Sequence, residues 1–444
     1  MSGNLYRRLV LSVLSILGAG VLAVAQEAFG SYAPYTVFGV GDLYGSGNAV
    51  TSTMGGIGVA TRDNHFINPV NPASVTARDS LAFMADVSFY QGNKYFRQGD
   101  KRAANNTANL GNLILSFPIY HHSAFMVGVM PFSSTGFGYI SEYDDPDLAS
   151  EMGSITYTAS GQGSLYQAFL SAGVTLWKRL SLGAEGIYYF GNTQKSYYET
   201  ISEASFLGAK NGYDMNLKGV TGKFGLQYDQ KIGGSRLVVG ATYRLATNLK
   251  GTVEGYRYST GSAATDTLYH ETTDLGGLAT PVRLGSEIGV GVSFMHADKW
   301  RTEVNYSRSD WTGTGLGTAA GFAGNLIPGT GNSIFTTSVS QSVNAGFEIV
   351  PNRSDIRYYF NRCAYRAGAY YKTEYYKLDG HEIPSYGITF GMTLPVFRWY
   401  NGLTIGVDLG RRGSHQNNLI SENYIKFNIA VNIFDIWFQK IQYN

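Results

Sequence analysis

Two groups of residues carry chemistry that could hold a ligand, and both depend on which way a β-strand turns them. Met84, Ile114, Met126, Met130 and Phe169 share the inward-facing phase of the first four predicted strands. Thioethers, a branched alkyl chain and a ring suit a hydrocarbon pocket, or they pack against whatever fills the interior. Later strands turn charge inward, through Arg244, Arg283, Glu287, Arg301, Glu303, Glu348, Arg362, Arg366 and Asp408. A guanidinium there can hold a carboxylate head by charge-assisted hydrogen bonds, or it pairs with a neighbouring carboxylate across a wet lumen. Arg362 and Arg366, two strand steps apart on one face, are the leading candidates for a head group.

Other chemistries find little support. Gly56-x-Gly58 has neither the preceding strand nor the following helix of a dinucleotide loop. His121-His122 are adjacent on a tight turn, where their rings diverge. Cys363 is the single cysteine and the 7 histidines are scattered, so no disulfide, metal site or cofactor is expected. No serine, histidine and acid set follows a hydrolase motif, so an enzyme is not expected. A formal net charge of +2, with no basic tract longer than a triplet, removes nucleic acid as a partner.

The elements that must position these residues are strands. Arg7 and Arg8, an apolar run from Leu9 to Ala25 and the small-x-small Ala23-Val24-Ala25 read as a signal peptide over 1–25, cleaved before Gln26. No later apolar stretch reaches spanning-helix length, so the mature chain crosses a membrane only as strands. Alternation is regular: Val282, Leu284, Ile288, Val290, Val292 and Phe294 face one way, and Arg283, Gly285, Glu287, Gly289, Gly291 and Ser293 the other. The pattern recurs over 237–244, 403–410 and 425–433. One face suits lipid and the other a polar lumen. The 33 Tyr and 24 Phe ask for a membrane interface. Trp177, Trp300, Trp399 and Trp437 fall at predicted periplasmic strand ends. Trp437 and Phe438 also give the last strand an aromatic end, beyond which the chain runs on to Asn444.

About 14 strands result, an even number as a closed antiparallel barrel requires. Short links (His121-His122, Lys178, Ile232 to Gly234, Asp298-Lys299, Asn352 to Ser354, Asn401-Gly402) alternate with long ones near 91–108, 134–162, 192–212, 251–279, 311–333, 375–383 and 413–420. The fold class is therefore all-β: a transmembrane antiparallel barrel over 81–444 in the outer membrane of a Gram-negative cell, with lipid as its surroundings. The segment Met54 to Ala73, MGGIGVATRDNHFINPVNPA, has too many glycines for a helix and too little alternation for a strand. It places an N-terminal plug over 26–80 inside the lumen.

Gly55-Gly56-Ile57-Gly58-Val59-Ala60, the following Asp63 and Asn71-Pro72-Ala73-Ser74 resemble the hatch signature of the FadL/TodX outer-membrane transport proteins, with weaker support from Met130 to Ser134. The resemblance implies a 14-stranded barrel behind a hatch and diffusive uptake of long-chain fatty acids or other hydrophobic small molecules. It also implies a sideways exit where the third strand kinks inward. Gly128 and Pro131 supply the bend and the missing donor for such a kink, or Pro131 merely ends the strand. In that family hydrocarbon is first captured between the third and fourth extracellular loops. The corresponding stretches, 192–212 and 251–279, carry few large apolar residues beyond Phe206, Leu207, Leu268 and Leu275. The alternative is a non-transporting barrel that serves as a structural or docking subunit of an outer-membrane protein assembly or secretion complex, with outer-membrane or periplasmic proteins as partners.

Overall fold

The computed structural model describes residues 31–79, 82–120, 123–143, 146–203, 205–260, 265–324, 334–396, 401–417 and 419–436. The signal-peptide reading, His121-His122, Trp399, Trp437 and Phe438 lie outside the described residues.

Fourteen antiparallel strands close into a barrel. They are β1 (Ala82–Gln98), β2 (Lys101–Tyr120), β3 (Ser123–Tyr143), β4 (Ile155–Leu176), β5 (Leu180–Ile201), β6 (Gly208–Ile232) and β7 (Ser235–Arg244, resumed as Lys250–Thr260). There follow β8 (Thr265–Asp274 and Ser286–His296), β9 (Trp300–Asp310), β10 (Phe335–Thr337 and Val339–Ile349), β11 (Ala364–Leu378), β12 (His381–Pro395), β13 (Gly402–Arg412) and β14 (Ser421–Ile436). Closure comes from β14 against β1, with Ala82 opposite Ile436 and Arg97 opposite Ser421. No helix among the described residues is long and apolar enough to cross a membrane.

Alternation builds the wall as expected. Ile288, Val290, Val292, Val239, Tyr243, Ile405, Ile429 and Ile433 are exposed on the outside, while Thr242, Arg244, Ser293 and Thr404 are buried within. This apolar belt, with Tyr166 and Tyr188 packed beside Phe190 on one rim and Trp177 and Trp300 at the end with tight turns, is that of a barrel in an outer membrane, with the tight turns periplasmic. Val282 and Leu284 depart from the predicted phase. The strand breaks at Gly285, and both side chains are fully buried instead of facing lipid.

The predicted long loops were drawn too long. Only Gly99 and Asp100 separate β1 from β2, and most of 134–162, 192–212 and 251–279 is strand. β6 alone has 25 residues, against about 10 needed to cross a bilayer. The excess stands on the extracellular side. There Asn192, Gln194 and Ser196 replace apolar residues on the outer face of β5, so alternation fades where lipid ends.

The wall is not uniform. Pairing of β2 with β3 stops at Leu113–Val129, and β3 bulges between Pro131 and Ser133. Above that point β3 pairs with a two-residue strand of the N-terminal segment, Leu43 opposite Ser133 and Asp42 opposite Ser134. Proline at 131 offers no amide to the ladder.

Candidate functional site

Residues 31–79, called the hatch below, run through the lumen. The Met54 to Ala73 motif makes chemical sense at its contacts. Gly55 and Gly56 have φ of +72° and +82°, left-handed backbone that favours glycine. A Cβ on Gly55 would lie 2.8 Å from the Ala369 carbonyl oxygen of β11. The Gly55 amide donates to Thr389 Oγ1 at 2.8 Å, and Asn344 Nδ2 donates to the Gly55 carbonyl at 2.5 Å. Three residues on, the buried carboxylate of Glu303 accepts from the amides of Gly58 and Ala60, each at 3.0 Å, and from Thr61 Oγ1 at 2.5 Å. Asn71 caps the short 3-10 helix Pro72–Ala77. Its Oδ1 accepts from the Ala73 amide at 3.0 Å while its Nδ2 donates to the Val59 carbonyl at 2.7 Å, and Pro72 opens the helix where no amide is needed.

The wall meets this backbone with glycine. Gly173, Gly183, Gly225 and Gly240 on β4 to β7, and Gly346, Gly368, Gly391 and Gly406 on β10 to β13, all face in, and a Cβ on any of them would strike the hatch; on Gly346 it would lie 2.5 Å from the Met54 carbonyl oxygen. On β9, Glu303 takes the place of such a glycine.

Three ion-pair clusters add to this grip, the smallest joining hatch Arg62 to Asp229 at 3.5 Å with Arg236 on the same carboxylate. On the periplasmic side Asp63 pairs with Arg301 at 3.0 Å, Arg301 with Glu348 at 3.3 Å and Arg366 with Glu348 at 2.7 Å. Arg301 and Arg366 both pack over the Phe66 ring. On the extracellular side Asp42 pairs with Arg412 at 2.6 Å and Lys94 at 3.3 Å, and both cations also hold Glu422. Burial alone pushes the Asp42 carboxyl up, but Arg412 and Lys94 outweigh it and hold it well below the ordinary 3.8. Burial opposes ionisation of Asp63 too, and His65 and Arg301 reverse it.

Aromatic packing closes the extracellular end. Tyr375 OH donates to the Gly41 carbonyl at 3.0 Å, and the Trp311 ring lies 4.6 Å from that of Tyr375. The link after β9 folds inward, burying Leu316 and Phe322, and the Phe322 carbonyl accepts from the Gly39 amide at 2.8 Å. Lys195 ties the two together by donating to the carbonyls of Val37 and Gly321, each at 2.7 Å.

Between the motif and this cap lies a cavity of about 430 Å³. Most of its lining residues carry hydroxyl, amide or charged groups, including Ser307, Ser342, Asn305, Lys372, Asp408 and Lys426, although apolar atoms supply the larger part of its surface; Met130, Pro131 and Phe132 lie at one side.

The sequence-predicted residues fall into separate places. Met84 and Met126 lie against hatch residues Ile67, Val75 and Arg78 around a crevice of only about 10 Å³. Ile114 and Phe169 close over Gly128, whose Cβ would meet Phe169 Cζ at 2.8 Å and Ile114 Cγ1 at 3.0 Å. Met130 alone of the five reaches the larger cavity. Arg366 faces the lumen and is paired with Glu348. Arg362 does not share its face: it ends a 3-10 turn, Tyr359–Arg362, outside β11, exposed and over the Tyr359 ring. Arg283 is likewise exposed. Glu303, Thr389, Asn344 and the inward glycines grip the hatch; in sequence Glu303 reads only as one inward charge among several, and Gly240 and Gly406 only as members of the inward face. Nothing local marks them, since their partners lie hundreds of residues away.

This architecture defines a class, the closed 14-stranded antiparallel barrel of the FadL/TodX fold. Similar solved structures include the CymD monoaromatic hydrocarbon channel, at TM-score 0.57 and 13% identity over 88% of this chain and 98% of that one. The Ralstonia pickettii toluene transporter TbuX gives 0.57 and 14% over 87% and 98%, and a Pseudomonas aeruginosa FadL homologue 0.54 and 12% over 88% and 99%. At these identities the likeness is one of fold. No curated protein matches the chain. A sequence model of the BamG family matches residues 5–444, and the chain belongs to that family.

Proposed function

We propose that this chain is a non-transporting barrel that serves as a structural or docking subunit of an outer-membrane protein assembly. The observation that carries the reading is the hatch itself: its backbone is bonded to Glu303, Thr389 and Asn344 and seated on wall glycines, which ties it to the wall on several strands. A hydrocarbon carrier needs a continuous apolar cavity. Here the apolar inward residues of the first four strands are mostly spent on packing, and most residues around the larger cavity carry hydroxyl, amide or charged groups.

A second reading, diffusive uptake of fatty acids or other hydrophobic molecules, draws support from the break in pairing between β2 and β3. Met130, Pro131 and Phe132 meet the cavity beside that break. Native mass spectrometry of the barrel extracted in mild detergent separates the two. Stable protein partners without a stoichiometric apolar ligand are expected. A bound hydrocarbon or fatty acid, lost in Phe169→Glu, would make uptake the better reading.

A further inference from the structure

The periplasmic connection between β10 and β11 differs from its neighbours. Turns 177–179, 233–234 and 297–299 take two or three residues, whereas this one spans 350–363. The short link expected at Asn352 to Ser354 is therefore much longer in the structure. The segment is instead a compact loop that displays apolar side chains to solvent: Ile356 is 96% exposed, and Tyr358 and Phe360 are each 66% exposed.

Its backbone is well braced. The Asp355 carboxylate accepts from the amides of Arg357 and Tyr358 at 2.8 and 2.9 Å and from Asn361 Nδ2 at 2.6 Å. The Asn352 amide donates to the Asn361 carbonyl at 2.8 Å. Arg353 Nε donates to the Asp298 carbonyl on the preceding turn, and Tyr359 OH donates to the Pro395 carbonyl at the end of β12. The loop is thus fixed across the strand ends of the barrel rim. Its one acid is occupied with its own backbone, while Arg357 and Arg362 are exposed and make no ion pair among the described residues.

We infer that this loop is a docking surface for a periplasmic protein, with Ile356 and Phe360 as anchors for an apolar groove whose rim is acidic. The inference rests on the docking reading above and gives it a site. Exposed isoleucine and aromatics beside arginine have the composition of an interface centre. Their charge asks for a negative rim. Preorganised backbone lowers the ordering cost of a protein contact. A lipid-facing anchor does not need such bracing, and the belt already provides Trp177 and Trp300.

The test places a photoreactive phenylalanine analogue at Tyr358 in the full chain in its own cell envelope, and identifies what becomes attached on illumination. The expected product is one periplasmic protein, linked at a groove lined by acidic residues. Its yield should fall roughly tenfold with Ile356→Glu plus Phe360→Glu, the scale of a lost anchor. It should also fall with Arg357→Glu plus Arg362→Glu, and return when the acids of that groove are changed to lysine. Attachment to phospholipid alone, or a protein product indifferent to both pairs of substitutions, overturns the inference. If the isolated complex survives Ile356→Glu plus Phe360→Glu unchanged, the loop is not the contact while the docking reading stands. If the unsubstituted chain forms no complex with any protein, both fall.

Discussion

Between Met54 and Ala77 the hatch meets the wall mainly through its backbone, on glycines and on the hydrogen-bonding groups of Glu303, Thr389 and Asn344. Between Ser31 and Tyr44 it meets the wall through Asp42, through the rings around Tyr35 and Tyr375, and through a two-residue strand patched onto β3. The first contact is one of shape. It requires the absence of side chains on the wall, and ion pairs from Asp63 to Arg301 and from Arg62 to Asp229 reinforce it. The second depends on charge and can be weakened by protonation. A segment held in both ways is seated on glycine at its periplasmic end and patched on by charge, rings and a short strand at its extracellular end.

The largest effect is expected from filling the glycine seat. In Gly368→Leu the new Cβ would collide with the Gly55 amide, and backbone cannot yield as a side-chain tip does. Overpacking of this kind typically costs about 1–3 kcal/mol and here should exceed it. The hatch should become cleavable by added protease while the apolar belt keeps the barrel inserted.

Removing the acceptor is next. Glu303→Ala leaves the Gly58 and Ala60 amides and Thr61 Oγ1 without their partner, at a cost of about 3 kcal/mol. Thermal unfolding should report it, and Glu303→Gln should recover part of the loss, since its amide oxygen still accepts.

The extracellular contact should give way to acid. Asp42 is held below its ordinary 3.8, so the stability it contributes is complete above about pH 4 and is lost as pH falls further toward its depressed folded value. Protease sensitivity of residues 31–44 should therefore rise below about pH 4 in the natural chain. In Asp42→Asn it should be raised already at neutral pH and rise less with acid.

Arg362 and Arg366 sharpen the comparison from outside. Arg366→Met leaves Glu348 short of one buried partner and should destabilise by about 3 kcal/mol. Arg362→Met, at an exposed site, should change thermal stability by less than about 0.5 kcal/mol.

What could be read in sequence follows from where lipid lies. Ile288, Val290 and Val292 alternate with small and polar residues because one face meets hydrocarbon, and that pattern located the strands. Above the membrane both faces of β5 are wetted or packed, so Asn192, Gln194 and Ser196 looked like loop although they are strand. The hatch motif was legible as irregular backbone from its glycines and Asn-Pro pairs. Its partner Glu303 was not, because the two lie 243 residues apart in the chain. Arg362 was placed on the lumenal face by extending strand phase through a segment that is in fact a 3-10 turn. The exposed loop at 350–363 was missed for the same reason: alternating Ile356, Tyr358 and Phe360 imitate a strand.

The fixed hatch is tested most directly by hydrogen exchange of the Gly58 and Ala60 amides in the reconstituted barrel, with and without toluene or palmitate. Both amides should exchange slowly, and at the same rate in all three conditions, because the Glu303 grip does not open for a hydrophobic solute. Faster exchange on adding either solute would mean that the hatch moves for cargo, and would contradict a non-transporting barrel.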